Sequence, residues 1–216
     1  MLACVIARLI GRARHVAVGA ASPIPASGAF LLKEKNPSLR ISLLQKRKGN
    51  PFTEGSRELF DLAGQGRIDV FFLGGAQIDG QGNINLVRAE GRRFPGSFGS
   101  AFMYQAVPNV ILFREEHSRR VLVPKVDFIS AAGKPAALVT GKAVFGFAGR
   151  FVLESFHPGE SVESIRAVTG FDFDVAPGVS TTPPPTAEEI SLLRTRVAAK
   201  IAADYPDFAR KVWGIN

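Results

Sequence analysis

Cysteine is almost missing from this chain: Cys4 is the only one among 216 residues. No intramolecular disulfide can form, and a cysteine-based metal cluster is excluded. Histidine is nearly as scarce. His15, His117 and His157 stand far apart, none in a ligand-spaced pair of the HExxH kind, so no metal site is expected. No apolar run approaches the roughly 20 residues that cross a bilayer. Internal repeats and low-complexity tracts are absent too, apart from three consecutive prolines at 183–185.

Acidic residues are in deficit, with 19 Asp and Glu against 27 Lys and Arg, a formal charge of +8. Such an excess suits nucleic acid, an anionic cofactor or an acidic partner subunit. The basic residues come as short scattered clusters, Lys46-Arg47-Lys48, Arg92-Arg93 and Arg119-Arg120. They lack the interleaved aromatics of a nucleic-acid surface, so nucleic acid is not expected as partner, and without a spanning apolar run neither is a membrane. Each cluster alone reads as solvated surface.

What is present is an ordinary globular composition, 46% hydrophobic and 21% charged, in a chain long enough for a substantial core. Leu2, Val5, Ile6, Leu9 and Ile10 follow helical spacing, with Gly11 placed to end the helix. Arg8, Arg12 and Arg14 fall within or after this apolar segment, the wrong order for a secretory leader. The reading is a short amphipathic first helix in a cytoplasmic protein.

Apolar runs recur at 15–18, 39–44, 68–73, 110–113, 121–123, 126–130 and 150–154. Several are continuous, which suits strands covered on both faces. Between the second and third, SRELFDLAGQG reads as a helix, with Thr53 or Ser56 to cap its start and Gly64 or Gly66 its end. Residues 39–73 therefore predict strand–helix–strand, a parallel βαβ unit. Beyond about 110, closely spaced strands predict a more antiparallel region. GESVESIRAVTG predicts a short helix. A longer one follows the prolines, where Thr186 and Glu189 have capping-box spacing.

Two stretches carry candidate chemistry. GGAQIDGQGNIN (74–85) follows a core strand. Gly74 and Gly75 allow close backbone approach, and the alternating amides offer donors and acceptors. The alternative is a tight hairpin centred on Asp79-Gly80-Gln81-Gly82. RFPGSFGSAF (93–102) can expose successive backbone N–H groups at Gly96, Ser97, Phe98, Gly99 and Ser100 as an anion nest or oxyanion hole. The alternative is a plain Gly/Ser loop.

Taken in order, FLGGAQIDGQGNIN, RFPGSFGSA and RRVLVPKVDFIS resemble the β subunit of family I CoA-transferases, the glutaconate type above all. HPGESVESIRAVTGFDFDV and the opening VAVGAASPIPASGAFLLKEKNPSLRISLL extend the resemblance over nearly the whole chain. It implies an α/β fold with an open, mostly parallel sheet flanked by helices, a more antiparallel C-terminal part and a C-terminal helix. It also implies one domain over 1–216, with a helical arm from about 183 to 216. The partner implied is an α subunit of similar fold, in a heterodimer or heterotetramer. The substrate implied is an acyl-CoA thioester, with no permanently bound cofactor. Gly96, Ser97, Phe98, Gly99 and Ser100, with Gly74, Gly75 and Gln77, become the implied oxyanion- and CoA-binding residues. In the family a β-subunit glutamate attacks the thioester, giving an acyl anhydride and then an enzyme–CoA thioester.

This sequence departs from that pattern where the glutamate should be. ISLL is followed by QKRKGNP, with no carboxylate between Arg40 and Thr53. Gln45 stands near the nucleophile position, and an amide is too poor a nucleophile. Glu54 is a displaced candidate, though a glutamate at a helix start has a simpler dipole explanation. Phe98 replaces a usual glycine. It is expected to reshape the pocket and to resist positive φ. The chain is also similar to the β subunit of a steroid ring-opening CoA hydrolase, which likewise lacks the β glutamate and takes its catalytic glutamate from the α subunit. Hydrolysis with an α-supplied base and a non-catalytic structural role stand as alternatives to transfer. His117 and Arg119-Arg120 are read either as cleft-edge or subunit contacts or as a solvated turn. Lys46-Arg47-Lys48 is a candidate phosphate contact or exposed loop.

Overall fold

The computed structural model describes residues 1–46, 52 and 54–215. The elements run α1 (Leu2–Ile10), β1 (His15–Val18), α2 (Pro23–Lys35), β2 (Arg40–Leu43), α3 (Ser56–Gly64) and β3 (Val70–Leu73). Then come β4 (Gln77–Asp79), β5 (Ile84–Asn85), β6 (Arg88–Ala89), β7 (Arg92–Arg93), α4 (Ser100–Ala106), β8 (Asn109–Arg114) and β9 (Leu122–Val123). They are followed by β10 (Ala137–Thr140), β11 (Ala143–Phe147), β12 (Phe151–Phe156), α5 (Val162–Val168) and β13 (Asp174–Thr181). The last part is α6 (Ala187–Leu192), a π-helical turn (Leu193–Val197), α7 (Ala198–Asp204) and α8 (Pro206–Trp213). Contacts divide the chain into two compact units, Met1–Phe72 with Pro184–Asn216, and Leu73–Pro183.

In the first unit β1 lies between β2 and β3 and is parallel to both, the βαβ arrangement expected from the continuous apolar runs. Every residue of β1 is buried. The strand start is fixed by Asp69, whose carboxylate accepts the N–H groups of Arg14 (2.7 Å) and His15 (2.9 Å). Helix α1 buries Cys4, Val5, Ile6, Ala7 and Ile10. Gly28 lets it approach α2, since a Cβ there would run into Ile6. The C-terminal helices return to α2. Arg196 (3.1 Å) and Lys200 both reach Glu34, and Arg8 donates to Glu189 (3.0 Å). The expected capping box forms, with Thr186 Oγ1 accepting from Glu189 N and Glu189 Oε2 from Thr186 N.

Two local expectations change here. Ser56 is the first residue of α3, not its cap. Gly55 precedes it with no side-chain cap, and Thr53 lies outside the described residues. Gly66 follows the helix end with φ +67°, the left-handed role foreseen for it.

The second unit carries strands in the order β13-β12-β11-β10-β8. The antiparallel part is confined to β10–β11–β12, and parallel pairs bound it on both sides, β8 with β10 and β12 with β13. Phe145 and Phe151 pack edge to face near the middle, with Phe171 stacked on Phe151 and Phe173 edge-on to Phe145. The run at 126–130, expected as a strand, is irregular, and Phe128 and Ile129 are half-exposed. A second small sheet joins β5, β4 and β9, and β6 pairs with β7 as a separate ribbon. The fold is mixed α/β with a mostly parallel sheet flanked by helices, as expected. Among the described residues no helix is long and apolar enough to cross a membrane, and no His, Cys, Asp or Glu cluster fits a metal ion.

Candidate functional site

The buried strand β3 runs into Gly74 and Gly75, and the hairpin reading of 74–85 is the one that forms. Strands β4 and β5 pair Gln77 with Asn85 and Ile78 with Ile84. Gly75 is needed for closure, because a Cβ there would lie 2.7 Å from the Gln77 carbonyl. At the tip, the Asp79 carboxylate accepts from the N–H groups of Gln81 and Asn83 and from the Asn83 amide, each at 3.1 Å.

The buried amides serve the protein itself. Gln77 Oε1 accepts from Asn85 Nδ2 (2.8 Å) and Asp127 N (3.0 Å), while its Nε2 donates to Asp127 Oδ2 (3.1 Å). Asn85 also donates to the Arg88 carbonyl (2.7 Å) and accepts from Val87 N (3.1 Å) and Arg88 N (3.3 Å). A ligand contact by the Gln77 side chain would have to displace one of these partners.

Beyond Asn85 the chain makes the β6–β7 ribbon, with Arg88 opposite Arg93 and Ala89 opposite Arg92. Its turn holds Glu90 (φ +50°) and Gly91 (φ +73°), the double positive φ of a type I′ hairpin. The candidate oxyanion loop follows at once. Gly96 has φ +107°, and Ser100 N–H closes a turn onto the Ser97 carbonyl at 2.8 Å. Phe98 adopts φ +46° and is 79% exposed, so the expected resistance to positive φ is overruled by the turn. A side chain in the left-handed region costs on the order of 1–2 kcal/mol.

Helix α4, entered from Gly99, is anchored by Tyr104, whose hydroxyl donates to the Gly82 carbonyl at 2.8 Å. Burial pushes that phenol's pKa up. One hydrogen bond thus joins the helix that follows the 96–100 loop to the tip of the 74–85 hairpin.

In the first unit, the turns leaving β1 and β2 meet. Leu44 N–H extends the ladder to the Val18 carbonyl (3.0 Å), and Gln45 Oε1 accepts from Ala21 N at 3.4 Å. Ala21 has φ +54°. Gln45 lines a cavity of about 980 Å³ with Phe30, Lys33, Lys46, Lys200 and Asp204. Of the basic cluster, Arg47 and Lys48 lie outside the described residues. Glu54 is exposed in the turn before α3, its carboxylate 3.5 Å from Arg57 of the same helix entrance. That is a surface pair at a helix start, not a buried, activated carboxylate.

All three histidines are buried in structural roles. His117, read from sequence as cleft edge or solvated turn, is neither. It sits between Thr140 Oγ1 (2.8 Å) and Thr169 Oγ1 (2.9 Å), and burial lowers its pKa to about 4. The Arg67 carbonyl accepts from His15 Nδ1–H (2.8 Å), leaving Nε2 to accept from Ser42 (2.8 Å). His157 donates from Nε2 to the Thr140 carbonyl (3.1 Å) and accepts from Thr182 at Nδ1 (2.9 Å). Burial lowers both pKa values. Arg119 donates to the Ala167 carbonyl and Arg120 to Glu116, and both arginines remain exposed.

A family model described as Coenzyme A transferase matches residues 16–167. The chain belongs to that family. It is 30% identical over 162 residues to the β subunit of the 3-oxoadipate CoA-transferase of Pseudomonas knackmussii, a match covering 64% of this chain and 62% of that relative. To the β subunit of the glutaconate CoA-transferase of Acidaminococcus fermentans it is 29% identical over 153 residues, covering 59% and 56%. The chain thus spans about three-fifths of the length of these curated relatives. Among solved structures, the decarboxylase AibA/AibB superposes with a TM-score of 0.78 at 28% identity, over 98% of this chain and 96% of that one. The resemblance to the glutaconate-type β subunit is borne out at the level of family and fold.

Proposed function

We propose that this chain is the β-type subunit of a heteromeric enzyme acting on an acyl-CoA thioester, and that the attacking or proton-abstracting carboxylate comes from an α-type partner of similar fold. The observation that carries this reading is the exit of β2. Gln45 occupies it, bonded to Ala21 N, and no carboxylate lies between Arg40 and Thr53. An uncharged amide cannot form the acyl anhydride on which CoA exchange between acids depends. Glu54 is exposed and held beside Arg57, without the desolvation that activates a carboxylate.

In this reading the chain contributes walls and main-chain donors. The 96–100 loop, with its two positive-φ residues, offers N–H groups to the thioester oxygen as negative charge develops there. Gly74 and Gly75 bring backbone close to the pantetheine arm, over a hairpin that the Gln77–Asn85–Asp127 network holds rigid. A partner carboxylate acting as nucleophile makes the assembly a transferase. Acting as base toward water or substrate, it makes it a hydrolase or another lytic enzyme. The missing β-chain acid favours the second outcome, and the similarity to a decarboxylase supports chemistry other than transfer.

The test is chemical trapping. The protein is purified with its natural partner, incubated with acyl-CoA, and treated with borohydride or hydroxylamine before peptide mass spectrometry. The expected result is no modified carboxylate in this chain. A CoA-dependent adduct on Glu54 or any other acid here would overturn the reading. A purely structural role for this subunit fails if Gly96→Val and Gly99→Val abolish turnover while the complex stays assembled.

A further inference from the structure

The β6–β7 ribbon is built against its own charge. Phe94 N–H donates to the Val87 carbonyl at 2.9 Å, and rungs alternate along an antiparallel pair, so Arg88 and Arg93 form the non-hydrogen-bonded rung. That rung brings facing Cα atoms to about 4.5 Å, with both side chains on one face. Two guanidinium arms thus rise side by side where like charges oppose pairing. Arg92 adds a third on the other face. All three are exposed, and among the described residues no carboxylate pairs with any of them. Glu90, at the tip, gives its carboxylate to Arg120 instead (3.8 Å).

Such a ribbon should fray, yet its geometry is imposed from below. Asn85 holds the Arg88 carbonyl and the Val87 and Arg88 N–H groups, Gln77 holds Asn85, and Asp127 holds Gln77. The turn accepts a left-handed glutamate to keep the register. An anchored root that carries two exposed arginines on facing positions suits an anion able to bridge them, which would offset their mutual repulsion.

We propose that Arg88 and Arg93 bind a phosphate group of coenzyme A. This rests on the acyl-CoA reading above and deepens it. A phosphate is favoured over a substrate carboxylate because the arginines stand in solvent at the mouth of the segment.

Calorimetric titration of the purified protein, in the assembly in which it is isolated, tests this with coenzyme A and with pantetheine, which lacks the phosphates. Arg88→Gln and Arg93→Gln should each weaken coenzyme A about tenfold or more and reduce the salt dependence of its affinity. Pantetheine affinity should be unchanged. Both variants should melt no lower than the parent without ligand, since each removes a like-charge contact, and Lys211→Gln controls for net charge. Unchanged coenzyme A affinity in both variants, or equal losses for both ligands, overturns the phosphate site alone. A parent protein that binds no coenzyme A overturns this site and the acyl-CoA reading together.

Discussion

The exits of β2 and β3 are built in opposite ways. After β3, the buried amides Gln77 and Asn85, with Asp79 and Asp127, tie nearly every polar group of a hairpin to its neighbours. After β2, Gln45 makes a single long hydrogen bond to the Ala21 turn. The first exit is overdetermined; the second, over its described residues 44–46, is the sparser and rests largely on backbone bonds, Leu44 N–H to Val18 and Lys46 N–H to Leu43. In the reading proposed above, this difference separates a scaffold that must keep its shape from a strand end that carries no carboxylate between Arg40 and Thr53.

Among substitutions, the largest expected effect lies at the overdetermined exit. Asn85→Ala empties a fully buried position and leaves the part-buried Arg88 carbonyl and two N–H groups without their partner, and should destabilise the chain by roughly 2 kcal/mol in urea unfolding. A loss near zero would mean that the network is decorative and the contrast false.

Second comes acid sensitivity. His117 is neutral in the fold with a pKa of about 4, against 6.5 for the free side chain. Its contribution is therefore fully present above pH 6.5 and is lost as pH falls toward 4, because the unfolded chain takes up the proton first. The loss should reach roughly 3 kcal/mol, with His15 and His157 acting in the same direction. Melting temperatures across that window should fall, and His117→Gln should flatten the slope. A slope unchanged in His117→Gln would remove His117 from the account.

Third, Tyr104→Phe removes the hydroxyl that reaches Gly82 and should cost about 1 kcal/mol, read by the same unfolding curves. If the proposed function holds, it should also lower turnover of the proposed assembly, because the helix it anchors follows the 96–100 loop.

The smallest effects belong to the sparse exit. Gln45→Ala and Glu54→Gln should each change stability by less than about 0.5 kcal/mol. Glu54→Gln should also keep turnover within a factor of about three of the parent, whereas a thousandfold loss would identify it as the displaced nucleophile.

The first third of the fold was legible because its apolar runs are long relative to their punctuation. HVAV, LRISLL and IDVFFL became β1, β2 and β3, with α2 and α3 between them. Strands β10, β11 and β13 were not legible. Their residues, such as ALVT and DVAPGVST, are interrupted by Gly, Pro and small side chains, and their strand state comes from long-range pairing. The run VDFIS misled in the other direction. Asp127 and Ser130 bond to Gln77 and Leu86, and the segment pairs with Ile84 through an isolated bridge at Ala131 instead of a ladder. At the site, composition announced both the hairpin and the Gly/Ser loop. The direction of the amides, inward onto the protein's own backbone, depends on burial that spacing does not encode. The like-charged rung of the ribbon was equally hidden, because Arg88 and Arg93 become neighbours only once the turn register is known.

The lone thiol offers a way to watch one unit by itself. Cys4 lies fully buried in α1, with its pKa raised by burial and by Glu189. A maleimide or disulfide reagent can therefore reach it only while that first helix has lifted away. Its modification rate is a built-in clock for opening of the terminal unit, and it can be compared directly with ligand-dependent protection of the ribbon in the other.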